Sequence, residues 1–188
     1  MRKILSLFVF ILFCLVLSDG LSAYSFRRKN DFMKPQAGLW FGPSAPLFGL
    51  KDRVDPALGG GVFVRLNTPL ELFKVGGEFG YQKYVSTAED KLSVLPLYGN
   101  ILFLLPIPFP MNFQLKAGAG TARVAIYPDN RSQFEPLFMA GLEASFMAGR
   151  LINFGIRMDY MMLYEKNLKG AKHNGHIFNA GLTLYFNL

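Results

Sequence analysis

Toward its C-terminus the chain alternates strictly. Phe178, Ala180, Leu182, Leu184, Phe186 and Leu188 fall on one side of an extended backbone, and Asn179, Gly181, Thr183, Tyr185 and Asn187 on the other. Successive strand side chains point to opposite faces, so this pattern predicts a strand that is apolar on one face only. The same period of two recurs upstream in Val75, Gly77, Phe79 and Tyr81, in Phe113, Leu115, Ala117 and Ala119, in Phe138, Ala140, Leu142, Ala144 and Phe146, and from Ile152 through Phe154, Ile156, Met158, Tyr160 and Met162 to Tyr164. None of these sets carries a charge. Their opposite faces hold Arg65, Glu78, Lys116, Glu143, Arg157 and Asp159, interleaved with many glycines.

Turn signals divide the chain into eight such segments, at 36–44, 58–67, 73–85, 93–105, 112–126, 134–146, 152–164 and 175–188. Each is about as long as a tilted strand needs to cross a bilayer, ~9 to 11 residues. The connections alternate between longer or polar stretches (45–57, 86–92, 127–133, 165–174) and short or proline-rich ones (around Thr68-Pro69, 106–111, 147–150). Transmembrane barrels have short periplasmic turns and longer extracellular loops. The prediction is an all-β, eight-stranded antiparallel up-and-down transmembrane β-barrel with both termini periplasmic.

Phe73, Phe113, Phe154 and Phe186 mark one end of the apolar band, and Tyr81, Tyr160 and Tyr164 the other. Such levels fit interfacial girdles. Three cations and three anions then share one enclosed interior. A soluble sandwich or lipocalin would invert the arrangement, with the apolar face enclosed, and alternation alone leaves that inversion open. Two places fit poorly. Pro96, Leu102 and Leu104 bring apolar side chains to the interior, and Arg123 falls on the outward face, where it must snorkel to an interface unless a bulge shifts the register.

Composition narrows the class. A hydrophobic fraction of 51% with 18% charged residues is too apolar for a disordered chain. The one helix-length apolar stretch, 94–110, holds Pro96, Pro106, Pro108 and Pro110, and proline at that density forbids a regular helix. At the N-terminus, Met1-Arg2-Lys3 precedes an apolar run over 4–17 and the small, polar stretch 18–23, which reads as a secretory signal peptide cleaved after Ala23 or Gly20. Phe13 stands where a lipobox needs a small residue, so Cys14 is not read as a lipidation site. The organisation expected is a signal peptide at 1–23, a periplasmic N-terminal segment at 24–35 and a barrel at 36–188. Without Cys14, the one cysteine, the remaining chain has no thiol for a disulfide or metal site. The net charge of +7 is scattered rather than striped, which together with export excludes nucleic acid as the expected partner.

The stretch Asn179-x-Gly181-x-x-Leu184-x-Phe186 resembles the C-terminal signal of bacterial outer-membrane barrels, read by their assembly machinery; two residues, Asn187 and Leu188, follow the aromatic. Together with Leu92 to Asn100 and the Gly-rich stretch around Gly118, it resembles the small eight-stranded outer-membrane barrel superfamily of the OmpA membrane domain, OmpX and OmpW. The resemblance implies a monomer in the outer membrane of a diderm bacterium, exported by its signal peptide, with outer-membrane lipids, lipopolysaccharide and the barrel-assembly machinery as partners. It implies a structural or surface-interaction role, or alternatively a narrow channel or conduit for small hydrophobic compounds.

An eight-stranded barrel has an interior just wide enough for side chains to fill. The six interior charges must therefore pair, and Lys116, Glu143 and Arg157 on neighbouring strands suggest a plus-minus-plus ladder completed by Glu78 and Asp159. A lipid A-modifying enzyme is the third class considered. His176 and Asn179 resemble part of a deacylase stretch, but Phe178 stands where that family places its nucleophile, leaving no hydroxyl to activate. No catalytic residue, metal or cofactor is therefore expected, and His173 and His176 read as rim residues. Lys166, Lys169 and Lys172 in the last long loop read either as ordinary solubilising lysines or as contacts to anionic lipid, and Arg27, Arg28, Lys29 and Lys34 either as a disordered basic stub or as contacts to headgroups at the other side.

Overall fold

The computed structural model describes residues 34–52, 54–85, 91–107, 109–127, 131–148, 151–164 and 174–188. Eight strands run β1 (Gln36–Leu47), β2 (Ala57–Asn67), β3 (Phe73–Val85), β4 (Lys91–Leu104), β5 (Asn112–Tyr127), β6 (Arg131–Met147), β7 (Ile152–Leu163) and β8 (Gly175–Asn187). Each pairs antiparallel with its sequence neighbours, and β1 pairs with β8, so the sheet closes with no free edge. The observed strands follow the alternation closely. The largest differences are that β1 continues beyond Ser44 through Pro46 and that β6 starts at Arg131 and runs through Pro136.

The registers fix the barrel's geometry. Asn187 pairs with Gln36, Gln36 with Arg65, Arg65 with Gly76, Gly76 with Asn100, and so on round to Ile177, ten residues up the same strand from Asn187. That stagger tilts the strands steeply and sets a bore that side chains fill. Proline interrupts the ladder where it lies between pairing partners. Between β3 and β4 the pairing stops at Phe79 with Leu97 and resumes at Gln82 with Val94, on either side of Pro96, whereas β4 and β5 pair through it.

The two faces separate as the period of two requires. Phe41 (56% exposed), Leu97 (55%), Ile156 (56%) and Leu182 (67%) face outward, while Arg65, Glu78, Lys116, Glu143, Arg157 and Asp159 are buried inside. The inverted arrangement is thereby excluded, because the enclosed side is the one that carries the charges. At the terminal end, where β1 starts and β8 finishes, the outward Phe73 packs on Phe103 (4.9 Å between centroids) and Phe146 on Phe154 (6.0 Å). Arg123 also faces out, opposite Leu95 and Phe134 in unbroken register, so no bulge turns it inward.

At the other end, where the longer connections lie, β1 leads into a 3-10 turn (Phe48–Leu50). The following chain bends back over the bore: the Val54 amide donates to the Leu50 carbonyl (3.2 Å) and the Asp55 amide to the Val85 carbonyl (3.0 Å). This places Val54, 6% exposed, across the loop end of the lumen.

Candidate functional site in the barrel lumen

The inner faces carry eight buried charges rather than the six expected: Lys74 lies toward the terminal end of β3 and Glu135 toward the loop end of β6, and the other six meet at mid-height. Arg65 on β2 reaches across to Glu143 on β6, with Nη1 donating to Oε1 (3.0 Å) and Nη2 to Oε2 (2.6 Å). Such a fork is the strongest common geometry for a charged pair. Arg157 on β7 crosses to Glu78 on β3 (2.6 Å) and also pairs with Asp159 on its own strand. Lys116 on β5 lies 2.7 Å from Asp159 and 3.8 Å from Glu143. In a closed ring of eight, β2 and β6 stand on opposite walls, as do β3 and β7. The two arginines therefore act as crossbars. The plus-minus-plus ladder is corrected accordingly: Glu143 takes Arg65 rather than Arg157 as its principal partner, although Glu143 and Arg157 are paired in the β6–β7 register.

Glycine on the inner wall makes room for these long side chains. A Cβ on Gly141 would stand 2.0 Å from Asp159 Oδ1. Aromatic faces line the crossbars as well. The Arg65 guanidinium carbon lies 4.1 Å from the Phe63 ring centre and 5.3 Å from that of Tyr185, and that of Arg157 lies 4.5 Å from Trp40. A cation on a ring face is held by the ring's quadrupole, more strongly where water is excluded. Tyr98 completes the surround, its hydroxyl accepting from Arg157 Nη2 (3.3 Å).

Above the charges sits a layer of neutral hydrogen bonds. Ser44 Oγ donates to Asn179 Oδ1 (2.5 Å) and Gln82 Nε2 donates to the same oxygen (3.2 Å). The Tyr84 hydroxyl, 2.5 Å from Ser44 Oγ, donates to Gln82 Oε1 (2.8 Å). The loop end of the bore is apolar apart from the buried Glu135. Leu92, Val94, Ala122, Val124, Leu137, Met139, Met161, Leu163 and Ile177 form one buried cluster, which also includes Val54. At the terminal end the bore is polar again, with Gln36 Nε2 donating to Asn187 Oδ1 (3.1 Å) and the Tyr185 hydroxyl to Ser145 Oγ (2.7 Å). The lumen is thus stratified as amide, charge, hydroxyl and hydrocarbon.

The alternation read from sequence put six charges and Tyr185 inside but missed Lys74 and Glu135, the aromatic lining by Trp40, Phe63 and Tyr98, and the apolar loop-end layer. The signal was present in the alternation, since Val94, Leu137, Met161 and Ile177 share inward parity with Tyr98, Glu143, Arg157 and Asn179. In the terminal strand, Asn179 and Gly181 already have structural reasons for their identity. Asn179 accepts the two hydrogen bonds above, and a Cβ on Gly181 would stand 2.8 Å from the Phe41 carbonyl oxygen. Leu184 and Phe186 point outward. His176 lies on the outer wall, its Nδ1 2.5 Å from the Tyr160 hydroxyl and its ring edge-on to Phe48. No described carboxylate bonds to that pair, and no metal-binding group of His, Cys, Asp and Glu occurs among the described residues. Lys166, Lys169, Lys172 and His173 lie outside the described residues, as do the signal segment, Cys14 and Arg27 to Lys29.

The closed eight-stranded ring superposes on solved proteins. Neisserial surface protein A (NspA) superposes with a TM-score of 0.67 at 6% identity, covering 82% of this chain and 97% of its own. The fold is that of the small eight-stranded outer-membrane β-barrels. The outer membrane protein OprG from Pseudomonas aeruginosa superposes with a TM-score of 0.50 at 12% identity, covering 82% of this chain and 96% of its own. No protein-family model and no curated protein sequence matches the chain.

Trp40 provides a direct probe of the lumen, because it is the single tryptophan and is 3% exposed. Its fluorescence in the folded, lipid-reconstituted protein is expected to resist both aqueous acrylamide and nitroxides carried on lipid acyl chains. Guanidinium unfolding should open it to acrylamide. Strong quenching from the lipid phase in the folded state would contradict the inward placement.

Proposed function

We propose that this chain is an outer-membrane β-barrel of a diderm bacterium with a structural or surface-interaction role, and not an enzyme or an open pore. In this reading the signal peptide exports it, both termini lie in the periplasm, the long connections face outward, and the barrel is a monomer placed by the barrel-assembly machinery. The observation that carries the reading is the lumen itself: two arginine crossbars between opposite walls, with a hydrocarbon layer and Val54 above them. A bore filled by its own side chains supports contact at the protein's surface over passage through it. The outward belt of large apolar side chains supports the membrane setting, since a soluble monomer rarely exposes a contiguous apolar patch beyond a few hundred Å². Neisserial surface protein A, which shares the fold, is by its name a surface protein, in keeping with this kind of role.

A second reading, a conduit for small hydrophobic compounds, draws support from the apolar loop-end layer around Val94, Leu137, Met161 and Ile177. Conductance and ligand uptake separate the two. Purified protein in planar bilayers should show no sustained ohmic state, and ion-sized steps should appear in the Arg65→Ser/Glu143→Ser variant. A steady open current in the unaltered protein, or saturable uptake of a small apolar dye into the lumen, would favour the conduit. The barrel itself is checked on a gel: folded protein should migrate faster before boiling than after, and full solubility without detergent would refute the membrane setting.

A further inference from the structure

The outward faces of the eight strands are almost free of charge, and their exceptions cluster. Lys83 on β3, Lys91 on β4 and Arg123 on β5 are the outward-facing Lys, Arg, Asp or Glu residues among the described side chains of the strands. All are exposed, all are cationic, and all lie toward the loop end of three consecutive strands. Lys83 is registered with Ser93 and Lys91 with Val85, while Arg123 faces Leu95. None of the three forms an ion pair with another described residue.

Their height is set by their own strands. Lys83 stands ten residues above Phe73 on β3, and Arg123 ten residues above Phe113 on β5. At ~3.3 Å per residue and a tilt of ~45°, ten residues span roughly 23 Å along the barrel axis. The apolar band of an outer-membrane barrel is ~25 Å tall. With the phenylalanines at one boundary of the bilayer, the two cations stand at the other, in the headgroup layer.

Below them the wall is bare. Gly77 on β3 is registered with Gly99 on β4, and Gly99 with Ala119 on β5, all facing outward. A Cβ on Gly77 would meet nothing within 4 Å, and one on Gly99 only the Gly76 carbonyl oxygen at 3.8 Å. Internal packing therefore does not require glycine at either position. A glycine inside a strand weakens it and often marks close approach of a ligand or another backbone. The combination is a shallow apolar furrow capped by three positive charges.

We infer that this face binds a phosphorylated lipid of the outer leaflet, its phosphates on Lys83, Lys91 and Arg123 and an acyl chain lying along Gly77, Gly99 and Ala119. Charge complementarity selects the occupant. A neutral lipid leaves the cations unpaired, and a second copy docked two-fold through the same face would bring like charges together. The inference rests on the membrane reading and names a site on it distinct from the 165–174 connection.

The test uses the reconstituted barrel in phosphatidylcholine nanodiscs doped with diphosphoryl lipid A or with the same lipid stripped of its phosphates. Lipids retained on the protein are counted by native mass spectrometry. The unaltered protein should favour the phosphorylated form on the order of ten-fold. Lys83→Gln/Lys91→Gln/Arg123→Gln should lose the preference while keeping the fast-migrating folded band, and Lys83→Arg/Lys91→Arg/Arg123→Lys should retain it. Equal retention of both lipids by the inserted unaltered protein, an unchanged preference in the glutamine variant, or full displacement of the lipid by inorganic phosphate would overturn the inference alone. A protein that stays out of the bilayer would overturn the membrane reading with it.

Discussion

Glu143→Leu is expected to be the most damaging single substitution in the lumen. Glu143 receives both Arg65 nitrogens and also lies 3.8 Å from Lys116, so its removal strands a guanidinium that is 1% exposed and leaves Lys116 with Asp159 alone. Breaking a buried pair from one side costs about 3 to 5 kcal/mol, because the remaining charge is left without compensation in a poor solvent. The measurement is the midpoint of guanidinium unfolding in lipid vesicles, followed by Trp40 emission. Pairing it with Arg65→Met should recover most of the loss, since a pair replaced by apolar groups of similar volume is often neutral or better. Strictly additive single and double substitutions would show that the Arg65–Glu143 crossbar is not an energetic unit.

The seam between β1 and β8 carries the second large effect. A Cβ on Gly42 would stand 2.1 Å from the Ala180 carbonyl oxygen and 2.4 Å from the Gly181 Cα, both backbone atoms that cannot turn aside. Gly42→Ala must therefore push the closing strands apart, with an expected cost of about 1 to 3 kcal/mol from overpacking. It should appear as a smaller fraction of fast-migrating folded protein on refolding. Gly77→Ala is the matched control. With nothing near its Cβ and extended backbone around it, it should be neutral or stabilising by about 0.5 to 1 kcal/mol. Equal losses at the two positions would remove the steric account.

Strand positions were legible because two solvents of opposite kind press on the two faces of each strand. From Phe73 to Tyr81 no outward position carries a charge, and the predicted and observed limits of this strand coincide at Phe73 and Val85. Legibility failed where the contrast disappears. Around Leu92 to Leu97 and Leu137 to Met139 both faces are apolar, so the contrast that marks the lumen fades there and only the parity carried up from Tyr98 and Glu143 tells which side chains enter the bore. The first strand runs past the expected limit at Ser44 to Leu47 and carries Pro46 within it. The partners of the charges were hidden for another reason. Period places Arg65 and Glu143 inside, but their meeting depends on the bore's width and on the stagger of ten, which no single strand encodes.

The crossbars also bear on the order in which the barrel can assemble. Arg65 and Glu143 are separated by three intervening strands, as are Glu78 and Arg157, and each pair can form only when the sheet has curled far enough to bring opposite walls together. Until then all six ionic groups remain hydrated, keeping one face of the nascent sheet wettable while the other meets lipid. The two crossbars thus arrive in the same late step as the joining of β1 to β8. Half-closed intermediates gain only the pairs within β5 to β7, and the part of the network that spans the bore favours the closed ring.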